Sequence, residues 1–323
     1  MSTQQLSGLV VREQSGFYWV ETDEENIYTC RMRGKLKEVA QSSDIIAIGD
    51  KVDFTPNDAD DGIDELRGII DKVHERHAVL SRAVRTTGKR GAGQAQREHV
   101  LIANLDAALF VFSAAQPTPN WKLLDRLLVS AEANLLDEVV IVINKVDVMD
   151  EATLMPLLKP YQDMGYPILF TSAMENTGID ALREQLKGKI SVLTGSSGVG
   201  KTSLLNSILP GLARATNSIS DYSQEGMHTT RDSALIKLDD NSYLADTPGI
   251  RRMSVWDIEP EELDGYFLDI ADYVPNCKFA NCAHESEPGC AVKAAVEAGD
   301  ISQRRYEHFL ELRGELKDAL AVY

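Results

Sequence analysis

The chain has 323 residues, 43% of them hydrophobic, which is about two domains' worth at roughly 150 residues each and excludes a wholly disordered polymer. Its 33 Lys and Arg against 50 Asp and Glu leave a formal charge of −17, which excludes a protein that coats nucleic acid over its whole surface, because neutralising phosphates takes a basic face. The longest apolar runs, Ala107 to Phe112 and Val139 to Ile143, fall far short of the roughly 20 residues that span a bilayer, and the opening MSTQQLSGLVVREQSG lacks the basic start and apolar core of a secretory leader. A cytoplasmic protein without membrane contact is expected.

Residues 1–75 carry 8 basic and 16 acidic side chains and read as short alternating runs: Leu9 to Arg12, Phe17 to Glu21, Ile27 to Arg31, Ile45 to Ile48 and Lys51 to Phe54. Turn clusters such as Asn57 to Gly62 separate them, which predicts a small all-β barrel. Phe17, Tyr18 and Trp19 offer rings on which bases could stack, but alternating aromatics in such a barrel more often serve its core, so they are read first as packing. Cys30, inside one of these runs, is likewise read as packing. Residues 76–100 form a connector in which Arg76 to Arg97 holds six Lys or Arg and no Asp or Glu, with three glycines. This stretch reads as basic and flexible, and it is the better electrostatic candidate for RNA than the acidic barrel.

Over residues 101–260 β-branched apolar runs alternate with helical stretches, the pattern of a parallel sheet covered on both faces. Strands are predicted over Ala107 to Phe112, Val139 to Ile143, Ile168 to Thr171 and Ile190 to Thr194, and helices over Trp121 to Ala133 and Ile179 to Leu186. Residues 261–323 read as helical, broken by a cysteine cluster and ending in a helix from Ser302 to Ala321.

Within this frame, Gly195-Ser196-Ser197-Gly198-Val199-Gly200-Lys201-Thr202, followed by Ser203, is a full phosphate-binding loop between a strand and a helix. Its glycines turn backbone N–H groups towards phosphates, Lys201 reaches the β- and γ-phosphates, and the Thr202 hydroxyl suits Mg²⁺. The loop alone does not choose ATP or GTP. Asp246-Thr247-Pro248-Gly249 ends a strand, so Asp246 can hold the Mg²⁺ hydration shell and the Gly249 N–H can meet the γ-phosphate. Asn144-Lys145-Val146-Asp147 also follows a strand; a buried carboxylate there accepts two hydrogen bonds from the guanine edge and is left unpaired by adenine. Thr171-Ser172-Ala173 follows the next strand with small residues that let backbone approach the base oxygen.

Cys277-x4-Cys282-x-His284-x5-Cys290 offers three thiolates and one imidazole, a closed tetrahedral shell for one structural Zn²⁺. In a reducing compartment this reading is favoured over a disulfide framework.

These elements resemble the motifs of translation-factor-class GTPases, in a different order: NKVD and TSA lie upstream of GSSGVGKT and DTPG, as in a circularly permuted chain. With a barrel in front and a Cys/His cluster behind, essentially the whole chain resembles the ribosome small-subunit-dependent GTPase A family. The resemblance implies a multidomain α/β protein with an N-terminal OB-like β-barrel, a circularly permuted P-loop GTPase domain and a C-terminal helical zinc-binding domain. It implies GTP hydrolysis with Mg²⁺, coupled to late maturation of the small ribosomal subunit and to the protein's own release, with the subunit and its rRNA as partners and a monomeric chain. It also assigns Thr230, in preference to Thr229, as a second Mg²⁺ ligand and His228 as the group acting in hydrolysis, since Ile250 stands where many GTPases carry a water-orienting glutamine. Two other classes compete: a GTP-sensing RNA-binding switch with negligible turnover, and a P-loop phosphotransferase.

Overall fold

The computed structural model describes residues 5–34, 45–57, 66–85, 96–209, 233–239, 241–246 and 258–321. His228, Thr230 and Gly249 fall outside the described residues, as does the connector tip at 86–95.

The N-terminal strands β1 (Leu6–Gln14), β2 (Phe17–Glu21), β3 (Ile27–Met32), β4 (Lys51–Pro56) and β5 (Arg67–Val73) run in the order β1-β2-β3-β5-β4. β4 pairs back onto β1, so the five strands close into the expected barrel. Only β3 and β5 pair in parallel within it. Period-two alternation sends Val10, Tyr18, Val20, Cys30, Val52, Phe54 and Ile70 into one buried cluster. Burial pushes the Cys30 thiol up to about 12, so it packs as a protonated apolar group.

Two barrel expectations are corrected. Ile45 to Ile48 is a buried turn rather than a strand: the buried Asp50 carboxylate accepts from the Ala47 N–H at 2.7 Å and from Arg76 at 2.8 Å, so side-chain bonds replace a ladder. Conversely, β5 forms where no strand was predicted, because Gly68 interrupts the apolar alternation that would have signalled it. The aromatic triplet also divides: Tyr18 faces the core, whereas Phe17 and Trp19 are half-buried on the opposite face of β2.

The connector is not wholly irregular. Strands β6 (Val79–Arg85) and β7 (Gln96–Ala103) pair antiparallel as a ribbon, from Val79 opposite Ala103 to Arg85 opposite Gln96. Leu80 and Ile102 anchor its base in the main core, which explains why a basic stretch is ordered there.

Beyond it, β8 (Ala107–Ser113), β9 (Glu138–Asn144), β10 (Ile168–Thr171), β11 (Ile190–Thr194), β12 (Ser233–Asp239) and β13 (Ser242–Asp246) order as β10-β9-β8-β11-β13-β12. The first five in that order are parallel, and β12 is antiparallel to β13. Helices α1 (Trp121–Ala133) and α2 (Glu151–Asp163) pack on one face, against Phe110, Phe112, Ile141 and Ile143. Helices α3 (Ile179–Leu186) and α4 (Lys201–Ile208) cover Leu109, Val111, Val140 and Val142 on the other. Both faces of β8 are therefore buried, which is why its sequence is a continuous apolar run. β12 also pairs with the barrel's β1, joining barrel and α/β sheet through one ladder.

The C-terminal part holds α5 (Ala291–Ala298) and α6 (Gln303–Ala321) around Leu263, Phe267, Ile270, Phe309 and Leu312, with Val129 of α1 in the same cluster. Among the described residues no helix is long and apolar enough to cross a membrane.

Candidate nucleotide site and metal centre

Within the α/β part of the sheet β8, β9 and β10 lie on one side of β11 and β13 and β12 on the other, so the connections diverge between β8 and β11. In an open α/β sheet the crevice at the carboxyl ends of such strands is where ligands bind. All the described nucleotide motifs emerge there. Residues 195–200 form the turn from β11 into α4, and Lys201 opens the helix. Lys201 Nζ donates to the carbonyl oxygens of Gly195 and Ser196, both at 2.8 Å, which holds the ammonium inside the loop. Thr202 and Ser203 are exposed on the first turn.

The Asn144–Asp147 motif is bolted to this loop. Asn144, at the end of β9, is 1% exposed; its Nδ2 donates to Val199 O at 2.9 Å and its Oδ1 accepts from Thr171 Oγ1 at 3.2 Å. Gly200 makes the approach possible: its φ is +97°, and a Cβ there would lie 2.3 Å from Asn144 Nδ2. Lys145 adopts a left-handed conformation, and its Nζ donates to Gly198 O at 2.7 Å and Gln116 O at 2.6 Å. Asp147 Oδ1 accepts from Ser172 Oγ at 2.6 Å, and the same hydroxyl accepts from the Glu175 N–H at 3.1 Å. Ser172 is thus a spacer between two motifs, with Ala173 next to it at the same strand end.

One geometric expectation is corrected: Asp147 is exposed rather than buried, because the single-turn helix Val146–Val148 carries it past the sheet edge. Sequence reasoning also missed Thr171 as the partner of Asn144, and the Gln116–Pro117 segment that meets Lys145 and lies 3.7 Å from the position of a Gly198 Cβ. The available signals were that Thr171 closes a strand ahead of a candidate loop and that Gln116–Pro117 follows the carboxyl end of β8, the neighbour of the phosphate-loop strand. Asp246 is the last residue of β13, whose register with β11 sets Ala245 beside Val192. It therefore ends at the same edge as the phosphate loop.

The second cluster lies in the C-terminal part. Ligand atoms of Cys277, Cys282, His284 and Cys290 all lie within 4.8 Å of one another, so the four residues could hold a metal ion. His284 is fully buried; its Nδ1 is 3.6 Å from Cys277 Sγ and 3.4 Å from Cys290 Sγ. Its Nε2 meets Asp264 Oδ2 at 3.1 Å, which fixes the tautomer that turns Nδ1 towards the sulfurs. Tyr306 OH donates to the His284 carbonyl at 2.5 Å, tying the loop to α6. Asp264 and Tyr306 were not foreseen, being 20 and 22 residues away along the chain.

Comparison with known proteins agrees with this construction. The RsgA N-terminal domain family matches residues 7–63, and the RsgA GTPase family matches residues 73–256. A small ribosomal subunit biogenesis GTPase RsgA of Gemmatimonas aurantiaca is 39% identical over 314 residues, 97% of this chain and 98% of that protein. The protein of the same name from Halalkalibacterium halodurans is 39% identical over 96% of this chain and 97% of its own length. Among solved structures, YjeQ from Thermotoga maritima superposes with a TM-score of 0.75 at 36% identity, covering 97% of this chain and 99% of that one. YloQ, described as a circularly permuted GTPase, gives 0.73 at 30% identity, covering 98% and 96%. With the motif order, the closed barrel and the Cys3His cluster all in place, the chain belongs to the RsgA family of circularly permuted GTPases.

Proposed function

We propose that this protein hydrolyses GTP on the small ribosomal subunit and couples hydrolysis to late maturation of the subunit and to its own release. The convergence of three loops on one crevice carries the reading: Asn144 and Lys145 both grip the phosphate loop, and Ser172 holds Asp147 beside them. An Asp147 oriented by Ser172 suits the paired donors of guanine and rejects adenine, which lacks them. The backbone of Gly195 to Gly200 and the Lys201 ammonium neutralise phosphate charge where it builds up during transfer. Thr202 on the first turn of α4 and Asp246 at the end of the neighbouring β13 are oxygen donors suited to Mg²⁺, and Thr230 adds a second hydroxyl. Mg²⁺ held by these residues would neutralise charge that builds up on the transferred phosphoryl group. His228, in the segment before β12, orients the attacking water in place of the missing glutamine.

A thiolate-rich, fully protein-ligated shell with an Asp-oriented imidazole suits one structural Zn²⁺. RNA contact is supported by a feature of the barrel that its net charge hides. The four arginines of residues 1–75 fall on β1, at or just past the end of β3, and on β5, and two of them meet the outward rings of β2. The Arg12 guanidinium lies 4.7 Å from the Trp19 ring and Arg31 lies 4.5 Å from Phe17. Arginine beside an aromatic ring suits stacked bases and phosphates together. The basic connector, with Arg85, Lys89 and Arg90, adds a second candidate surface. A chain of this kind works in the cytoplasm as a monomer.

Multiple-turnover phosphate release with GTP and ATP, with and without purified small subunits, tests the reading. GTP turnover accelerated by subunits, with ATP at background, is expected; equal turnover of both nucleotides, or no response to subunits, rejects it. Asp147→Asn should weaken GTP binding at least about tenfold and shift preference to xanthosine triphosphate, whose edge exchanges a donor for an acceptor. Unchanged affinities for both nucleotides would remove Asp147 from base recognition.

A further inference from the structure

Glu21 ends β2 and reaches out of the barrel to both strands of the β12–β13 hairpin. Its Oε1 accepts from Lys237 Nζ of β12 at 2.8 Å, and its Oε2 accepts from Tyr243 OH of β13 at 3.1 Å. Lys237 Nζ also donates to Glu25 at 2.7 Å. The Glu21 side chain is 10% exposed and Tyr243 is buried, so the two Glu21 bonds are partly buried, whereas the Lys237–Glu25 pair is exposed. They sit at the turn end of the hairpin. At its other end the ladder sets Ser233 opposite Glu13 and Ala234 opposite Arg12 of β1. Between them, Leu235 shares an apolar cluster with Val11 and Trp19. The barrel therefore holds β12 at Ser233 and Ala234 through the ladder, at Leu235 through packing and at Lys237 through Glu21.

This hairpin connects the two segments that sense phosphate. Thr230 lies three residues before β12, and Asp246 closes β13. A shift of the hairpin must move the barrel with it or break a partly buried carboxylate contact and a backbone ladder. We infer that Glu21 is a positioning residue that couples the placement of the barrel to GTP hydrolysis, by fastening β2 to both strands of the hairpin. The inference rests on the small-subunit reading for what acts on the barrel. A subunit that binds the barrel in one placement then biases the hairpin, and by reciprocity the nucleotide state biases the affinity of the barrel for the subunit.

The test uses the full-length protein. Glu21→Lys and Lys237→Glu should each cut acceleration by small subunits at least about fivefold, with basal turnover and the KM for GTP within about twofold of wild type. The double exchange E21K/K237E restores opposite charges and should recover most of the acceleration, a recovery that a merely destabilising role would not produce. Glu21→Gln, which keeps the shape and removes the charge, replaces the single variants if either fails to fold. Acceleration at the wild-type level in the single variants, or a double variant no better than either, overturns the inference. If wild type itself shows no acceleration, the small-subunit reading fails and hydrogen exchange decides the coupling alone. Protection of β1 amides that differs between GDP and a non-hydrolysable GTP analogue, and loses that difference in Glu21→Gln, upholds it; protection indifferent to nucleotide overturns it.

Discussion

The two domains that flank the GTPase core are fastened to it in opposite ways. The barrel is joined by backbone: β1 extends the sheet at β12, and the Ala103 N–H donates to Ile48 O at 2.8 Å where the ribbon passes the barrel. The C-terminal domain is joined by charge. Asp125 of α1 is 1% exposed and bonds both Arg305 and His308 of α6, while Arg305 is also held by Asp269 through two bonds of 2.7 and 2.8 Å. Arg304 adds a bond to Leu157 O of α2 at 2.7 Å and lies 5.1 Å from the Trp121 ring. The barrel joint rests on a short ladder with the Glu21 contacts beside it. A buried ion network concentrates its energy, and loss of one partner leaves the others charged and dry. The barrel joint therefore suits transmission of strand movement, and the C-terminal joint suits a fixed platform.

The largest effect that would break this contrast is metal removal. Chelation, or Cys290→Ser, should unfold the C-terminal domain, since a structural zinc contributes on the order of 10 kcal/mol to small domains of this kind. Calorimetry should show loss of one transition and a barrel transition that stays in place, with nucleotide binding retained. Simultaneous loss of both transitions would mean the three parts fold as one unit.

Asp125→Ala comes next. It strips Arg305 and His308 of a common partner and should cost about 3–5 kcal/mol, measured by denaturant unfolding of the C-terminal domain. A cost below about 1 kcal/mol would reduce the network to the value of surface ion pairs.

The barrel joint should be sensitive to backbone crowding instead. Gly49 has φ +85°, and a Cβ there would lie 2.0 Å from Ala103 O. Gly49→Ala should destabilise by roughly 1–3 kcal/mol through overpacking, and increased hydrogen exchange should be confined to the barrel and the β6–β7 ribbon. Exchange spreading to α5 and α6 would show the two joints to be coupled.

Legibility varied along the chain for physical reasons. Helices α1 and α3 and strands β10 and β11 follow the predicted bounds because their apolar spacing matches the period of the element that forms. Helix α2 was not foreseen, since Pro156 and Pro160 lie inside it. It forms because Leu154, Leu158 and Tyr161 line one buried face while Pro156 sits on the exposed side, where water satisfies the carbonyl that proline leaves unpaired. The Ile45 to Ile48 run failed as a strand for the converse reason, a buried Asp50–Arg76 pair that outcompetes a ladder.

Determined by the sequence alone were the family motifs and their permuted order, and the four residues that could hold a metal. Those follow from side-chain chemistry at short spacings, where the backbone leaves few alternatives. Only the tertiary structure decided that Asn144 grips Val199, that Asp264 orients His284, that Phe17 and Trp19 face outward under arginines, and that Glu21 spans β12 and β13. Each of these pairs residues distant in sequence or on a face set by sheet register, and no local pattern encodes which distant strand will pack beside which.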